Sequence, residues 1–342
     1  MNSTRASMAF LLVCLFTLNG FGQSSDLTPL FQEEKPLTIR LKVSLKAIKK
    51  ETVDTIYLAT TLYYKNGEKT SWDSIPMKVR ARGQFRRENC YFVPMRIKLK
   101  KGDTKGTVFA GNKALKLVLP CNINKNADAL IMKEYMCYQL YEPATPYFFN
   151  TRLLNITLED VDKKKTHEMK AFFIEDDDLV AARFHAKAVD SIKVHPLALQ
   201  DTSSVRHDLF EYWISNTDWS SVFYHNMKLI RTEQGKFIPI PYDFDMAGFV
   251  NAPYAQGSAE LGTTESRTRV YRGFCRPEPL VQHVRKEYIA LEPKMNEIIG
   301  LYESYFDPKE FASIKKYSDE FFVTLKSDQK FKENILQKCR TK

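Results

Sequence analysis

Two acidic clusters flank a turn in the second half of the chain, and their side chains are the ones best equipped for chemistry. Before the turn stand Asn216 and Asp218, then His225 and Asn226 as a strand opens; after it stand Asp243 and Asp245, within Pro241-Tyr-Asp-Phe-Asp-Met-Ala-Gly248. The runs Phe223–Arg231 and Lys236–Tyr242, joined by Thr232-Glu-Gln-Gly235, read as a β-hairpin. A hairpin holds its entry and exit together, so Asp218, Asn226, Asp243 and Asp245 are expected to converge. Carboxylates plus an amide oxygen suit a hard divalent cation, Mg²⁺ or Mn²⁺. An acid kept off the metal can orient or deprotonate a nucleophile. Asp and Asn are also favoured in turns and caps, so each residue taken alone reads equally well as local structure.

A second cluster is cationic. Lys78, Arg80, Arg82, Arg86 and Arg87 place five positive charges within ten residues around Gly83. They can cradle phosphates, although an exposed edge strand carries many Lys and Arg too. No GxxxxGK[ST] loop occurs, and no GxSxG, HExxH or paired His/Cys spacing specifies a hydrolase or a zinc site.

The elements that must position these groups follow from periodicity. Period-two alternation over residues 37–46, 56–64, 75–82, 91–100 and 115–119 predicts an antiparallel sheet, continued near 153–158 and 169–174. A helix is expected from an N-cap at Asn126 to just before Pro143, with Ala127, Ile131, Glu134, Tyr138 and Tyr141 facing inward. A buried Glu is costly unless paired, so Glu134 should find a cation in the sheet. Helices are also expected over 205–215, capped by Ser203 or Ser204, over 279–302 and over 308–326. The order is a mainly β half, then a mainly α half containing one hairpin: an α+β chain.

Composition sets the class. The 342 residues are 44% hydrophobic and 27% charged, which excludes a disordered, collagenous or fibrous chain. Residues 1–22 read as a signal peptide, with Arg5 ahead of an apolar run over 8–18 that is too short to span a bilayer. Residues 23–36 read as a linker, 37–178 as a β-rich lobe and 179–342 as a mainly helical lobe. The expected location is outside the cytoplasm: periplasmic, cell-surface or secreted. No later segment is apolar enough for a transmembrane helix. Five cysteines remain after export, Cys90, Cys121, Cys137, Cys275 and Cys339, enough for two disulfides and one free thiol, with Cys137 inside the expected helix.

The net charge of +10 is uneven. Between Lys35 and Lys116 stand twenty Lys or Arg against six Asp or Glu, so the rest of the chain is slightly acidic. A basic end suits nucleic acid, an acidic surface or nucleotide phosphates. The absence of a basic recognition helix and of an RNP-type motif argues against nucleic acid.

These residues resemble the spore-coat-protein-H (CotH) family of atypical secreted kinases over roughly residues 75–276. The likeness rests on Arg82-Gly83, Arg96-Ile-Lys98, Ala114-Leu-Lys-Leu-Val118, Lys133-Glu-Tyr135, Asn216-Thr-Asp218-Trp-Ser220, His225-Asn226, Pro241-Tyr-Asp-Phe-Asp245 and Tyr271-Arg-Gly-Phe-Cys275. The resemblance implies a bilobal protein-kinase-like fold, with an antiparallel-sheet N-terminal lobe and a helical C-terminal lobe. It implies ATP with Mg²⁺ or Mn²⁺ as cofactor and a protein or envelope acceptor as partner. Asp218 takes the role of catalytic base, and Asp243, Asp245 and Asn226 those of metal ligands. Lys98, with Lys116 as its rival, contacts the nucleotide phosphates, Glu134 pairs with that lysine, and the segment at Glu175 forms the hinge beside the adenine. With no GxGxxG, phosphate cradling falls to the loop from Arg82 to Arg87. A catalytically silent envelope protein and a nucleotidyl (AMP) transferase are the alternatives.

Overall fold

Alternation builds the first strand, which ends at Val43, short of the expected Lys46, because a helix begins at Leu45. In β1 (Leu37–Val43) the side chains of Leu37, Ile39, Leu41 and Val43 are buried while Lys42 faces solvent. A computed structural model describes residues 27–67, 70–189 and 192–341. The expected signal peptide and the first residues of the expected linker lie outside the described residues. Residues 29–31 form a short 3₁₀ turn that buries Leu30.

After β1 come α1 (Leu45–Lys50), β2 (Leu58–Lys65), β3 (Asp73–Ala81), α2 (Gln84–Asn89), β4 (Met95–Leu99), α3 (Lys101–Thr104), β5 (Ala114–Val118), α4 (Ala127–Tyr141), β6 (Thr151–Asp160) and β7 (Lys165–Ile174). The strands are ordered β1-β2-β3-β4-β5-β7-β6, and β6 returns to β1 to close a barrel. All neighbours are antiparallel except the closing pair, where β1 and β6 run parallel from Leu37 opposite Leu154 to Val43 opposite Asp160. Ile39, Leu41, Val79, Ile97, Leu117 and Phe173 fill the interior, as side chains do in small barrels.

This overturns the expected bilobal protein-kinase-like fold. The sheet is not an open antiparallel lobe but a closed, mixed, seven-stranded barrel with helices around it. Period two reports that a strand has an inner face; it carries no information on which strand lies at its edge. Here the deciding partner is more than a hundred residues downstream.

The second half contains α5 (Asp177–Arg183), β8 (Lys187–Val189), α6 (Asp201–Trp213), β9 (Met227–Arg231), β10 (Phe237–Pro241), α7 (Glu278–Leu301), α8 (Pro308–Lys326) and α9 (Asp328–Phe331). The expected hairpin is β9–β10, and β8 adds a third strand on the β9 side. At the start of α6 the cap is Gln200, whose side chain accepts from the Ser203 N–H, rather than Ser203 or Ser204. Asp307 caps α8 by accepting from the N–H groups of Lys309 and Glu310.

The helix α4 joins the two halves. It packs on β7 and on α7, so every residue from Ile131 to Tyr138 is buried and the expected single inward stripe widens to the whole circumference. Its apolar residues belong to the core that also holds Phe210, Phe244 and Trp213, the last stacked on Phe321 at 5.3 Å.

The disulfides are Cys90–Cys121, which ties the end of α2 to the segment after β5, and Cys275–Cys339, which ties the approach to α7 to the chain's end. Cys137 is a buried free thiol. Two disulfides are consistent with an extracellular protein. Among the described residues no helix is long and apolar enough to cross a membrane.

Candidate functional site

The hairpin's two ends are held by unusual backbone. Ser215, Tyr224, Asn226 and Asp243 all have positive φ, between 50° and 66°, a region that non-glycine residues occupy at a cost and that clusters at functional sites. Asp243 is kept there by its N–H, which donates to Tyr138 Oη at 2.9 Å, and by the next residue, Phe244, which is fully buried against Tyr138 and Phe210. Asp243 and Asp245 thus flank an apolar anchor.

On the entry side, Asn226 Nδ2 donates to the Asp218 backbone oxygen at 2.6 Å and to its carboxylate at 3.0 Å. His225 Nε2 lies 3.2 Å from the other Asp218 oxygen. The Asp218 N–H donates to Asn216 Oδ1 at 3.0 Å. The loop is clamped from outside by Arg272, whose guanidinium donates to the carbonyls of Thr217 and Trp219. Asp218 itself stays open, with 43% of its side chain exposed. The hydrogen bond to Asp218 raises the His225 pKa.

On the exit side, the carboxylates meet arginines from the barrel. Asp243 lies 3.5 Å from Arg82 Nη2. Asp245 lies 3.8 Å from Arg86 Nε and accepts from Tyr254 Oη at 3.1 Å. Arg86 is shared: its Nη1 stands 3.8 Å from Glu134 and its Nη2 donates to the Leu119 carbonyl. Burial pushes the Asp245 carboxyl up to about 6, with Arg86 opposing the shift and Asp243 and Asp218 adding to it. Burial likewise lifts Glu134 well above the usual carboxylate range, against the pull of Arg86.

The lysine assignments separate. Lys98 is exposed on β4, its ammonium 4.2 Å over the Tyr57 ring. Its rival Lys116 is buried on β5, between the rings of Phe149 and Tyr242, ion-paired with Asp177 and donating to the Glu175 carbonyl at 3.2 Å. Burial lowers its pKa, Asp177 resists, and the nearby Arg82 lowers it further. Asp177, bridged to Lys116 and to Lys228 at 3.2 Å, has its carboxyl lowered to about 2: the two cations outweigh burial.

The expected pair of Glu134 with the strand lysine is therefore not formed. Glu134 pairs with Arg86, which comes from α2, and the cation facing Asp177 is Lys116. Glu175 is fully engaged in the protein, accepting from the Asn150 N–H and side-chain amide and from Arg183 at 2.7 Å. The structure also adds groups that the sequence did not single out. Tyr138 carried a signal, on the inward stripe of α4, Asp177 lay in the acidic run after β7, and Arg272 lay in the Tyr271-Arg-Gly-Phe-Cys275 motif without a role given to it; Tyr254 and Lys228 carried none.

Among the described residues no three His, Cys, Asp or Glu side chains are grouped so as to hold a metal ion. The oxygen donors nearest to doing so are taken by protein groups: Asp243 and Asp245 by arginines, Asp218 by Asn226 and His225. In this arrangement the donor set does not fit a cation, and no chemical step is derived through one. What the arrangement offers is Asp243 beside Arg82, whose Nη1 is buried without a hydrogen-bond partner, Lys116 near Arg82, and a half-exposed Asp218 at the hairpin's entry. Compared with known protein families and with curated proteins, the chain matches none.

Proposed function

We propose that the cleft between the barrel cations and the β9–β10 hairpin binds a nucleotide, ATP, and transfers its terminal phosphoryl group to a hydroxyl of a protein or envelope acceptor. One observation carries the reading: Arg82, with Lys116 near it, meets Asp243 at the exit of the hairpin whose entry presents Asp218, and Arg82 keeps an unpartnered N–H. A transferring phosphoryl group spreads negative charge over its oxygens and needs positioned cations more than covalent help. Asp218 accepts the acceptor hydroxyl's proton, the oxygen attacks the γ-phosphorus, and the bond to the β-phosphate oxygen breaks to release ADP. His225 and Asn226 hold the Asp218 oxygens in place. The likeness of the local motifs to the CotH family supports the chemistry; a kinase-like fold does not enter the argument. The two disulfides, and a signal segment expected from the sequence, support an activity outside the cytoplasm.

The arginine pairing of Asp243 and Asp245 favours a second reading, a silent envelope protein in which the same ion pairs serve only to fix the hairpin on the barrel. A thermal-shift titration with ATP, with and without Mn²⁺, separates the two. The transfer reading expects a nucleotide-dependent rise in melting temperature and label moving from γ-labelled ATP to the acceptor. No shift with either form of ATP leaves the silent reading, and transfer of α-label assigns nucleotidyl transfer instead.

A further inference from the structure

We propose that the cavity beside Arg86 and Glu134 is a binding site for a small uncharged carboxamide, separate from the transfer cleft. The cavity, about 210 Å³, lies between α2, the segment after β5, the first half of α4 and the stretch following Gly248. Pro120, Ala127, Leu130 and Val250 give it apolar walls, and Arg86 and Glu134 are its charged lining. Both are almost wholly enclosed, at 5% and 2% exposure.

Three polar atoms of this pair, Arg86 Nε, Arg86 Nη1 and Glu134 Oε1, are buried without a hydrogen-bond partner. The two arginine nitrogens face carboxylates at 3.8 Å, within ion-pair range but beyond a hydrogen bond. A buried polar group left in this way is costly, and a ligand of matching pattern reaching it from the cavity offsets that cost.

Charge selects the class. One guanidinium already faces two carboxylates, Glu134 and Asp245. An anionic ligand would compete with both for Arg86, and a cationic one would meet Arg86 at contact distance. A neutral group offering a carbonyl oxygen to Arg86 and an N–H to Glu134 satisfies both sides, and a primary amide carries these on adjacent atoms. The volume lies below the roughly 300–1,000 Å³ of sites for drug-sized ligands, so the amide sits on one ring or a short chain that meets the apolar wall.

The test is a calorimetric titration of the full chain, without nucleotide, using benzamide, benzoate and benzylamine as probes. Benzamide is expected to bind saturably and at least about tenfold more tightly than the other two, a difference of about 1.4 kcal/mol. Ala127→Phe, which pushes a ring into the cavity from the first turn of α4, should weaken benzamide about tenfold or more. Leu130→Trp serves the same purpose if Ala127→Phe does not fold. No benzamide binding by the unaltered chain, equal binding of all three probes, or undiminished binding by the filled variant overturns the proposal. Because no nucleotide is present, the result does not depend on whether the cleft transfers phosphate.

Discussion

Arg82 and Asp243 are 161 residues apart in the chain and face each other at 3.5 Å, one at the end of β3 and the other just after β10. The pair joins barrel to hairpin where the transfer reading puts the nucleotide's phosphates. Replacing Arg82 with Met keeps the aliphatic stem and removes the charge. Its expected effect is a loss of ATP affinity of about tenfold or more, or about 1.4 kcal/mol, read as a smaller nucleotide-induced thermal shift.

Asp218→Asn keeps the shape and the backbone hydrogen bonds of the loop but removes the proton acceptor and leaves one oxygen for His225 and Asn226 to share. Turnover should fall by roughly 10²–10⁴, the usual contribution of a general base, while the ATP-induced thermal shift is retained. Parallel loss of binding and turnover would make Asp218 a structural group.

The acidity of Asp245 gives a signed prediction. Its carboxyl is raised from 3.8 to about 6, chiefly by burial. Between these values the folded protein holds a proton that the unfolded chain has released. The stabilisation is therefore complete below about pH 4 and fades as pH rises through about 6. Relative to Asp245→Asn, the unaltered protein should lose roughly 2–3 kcal/mol over that window, measured by urea unfolding at several pH values. A flat difference would show that Asp245 does not hold its proton.

The Cys90–Cys121 bond fastens the end of α2, the helix carrying Arg86, across a 31-residue separation. Cys90→Ser with Cys121→Ser should cost roughly 2–4 kcal/mol, seen in the melting temperature. It should also weaken benzamide binding more than Cys275→Ser with Cys339→Ser does, because Cys121 lines the cavity and neither cysteine of the second bridge does.

Phe244→Ala removes the anchor between Asp243 and Asp245. Truncating a fully buried phenylalanine costs about 3–5 kcal/mol, so the variant should melt markedly earlier. ATP binding measured well below its melting point should weaken as well, because the backbone at Asp243 is no longer pinned.

The local grammar of the chain was readable and its closure was not. Alternation located β1 and β3, and apolar spacing located α7 and α8 to within a residue or two. The hairpin between Asn226 and Asp243 followed from two strand-like runs and the turn that joins them. The choice between Lys98 and Lys116 could not, because each sits in a Lys flanked by apolar residues. β4 shows its Lys to solvent, whereas β5 is buried on both faces, a property of the helices and segments packed outside it rather than of its own five residues. Glu134 was rightly suspected of needing a cation, but its partner comes from a short helix after β3 that period-two reading does not resolve.

The parallel seam between β1 and β6 has a temporal consequence. The first strand leaves the ribosome long before Leu154 to Asp160 exist to receive it, so one of its edges stays open while more than half of the barrel is already assembled. Joining such distant segments is entropically slow. A nascent chain held unfolded until that register is available avoids misjoined strands, and conditions that hurry early collapse should favour aggregates over native protein.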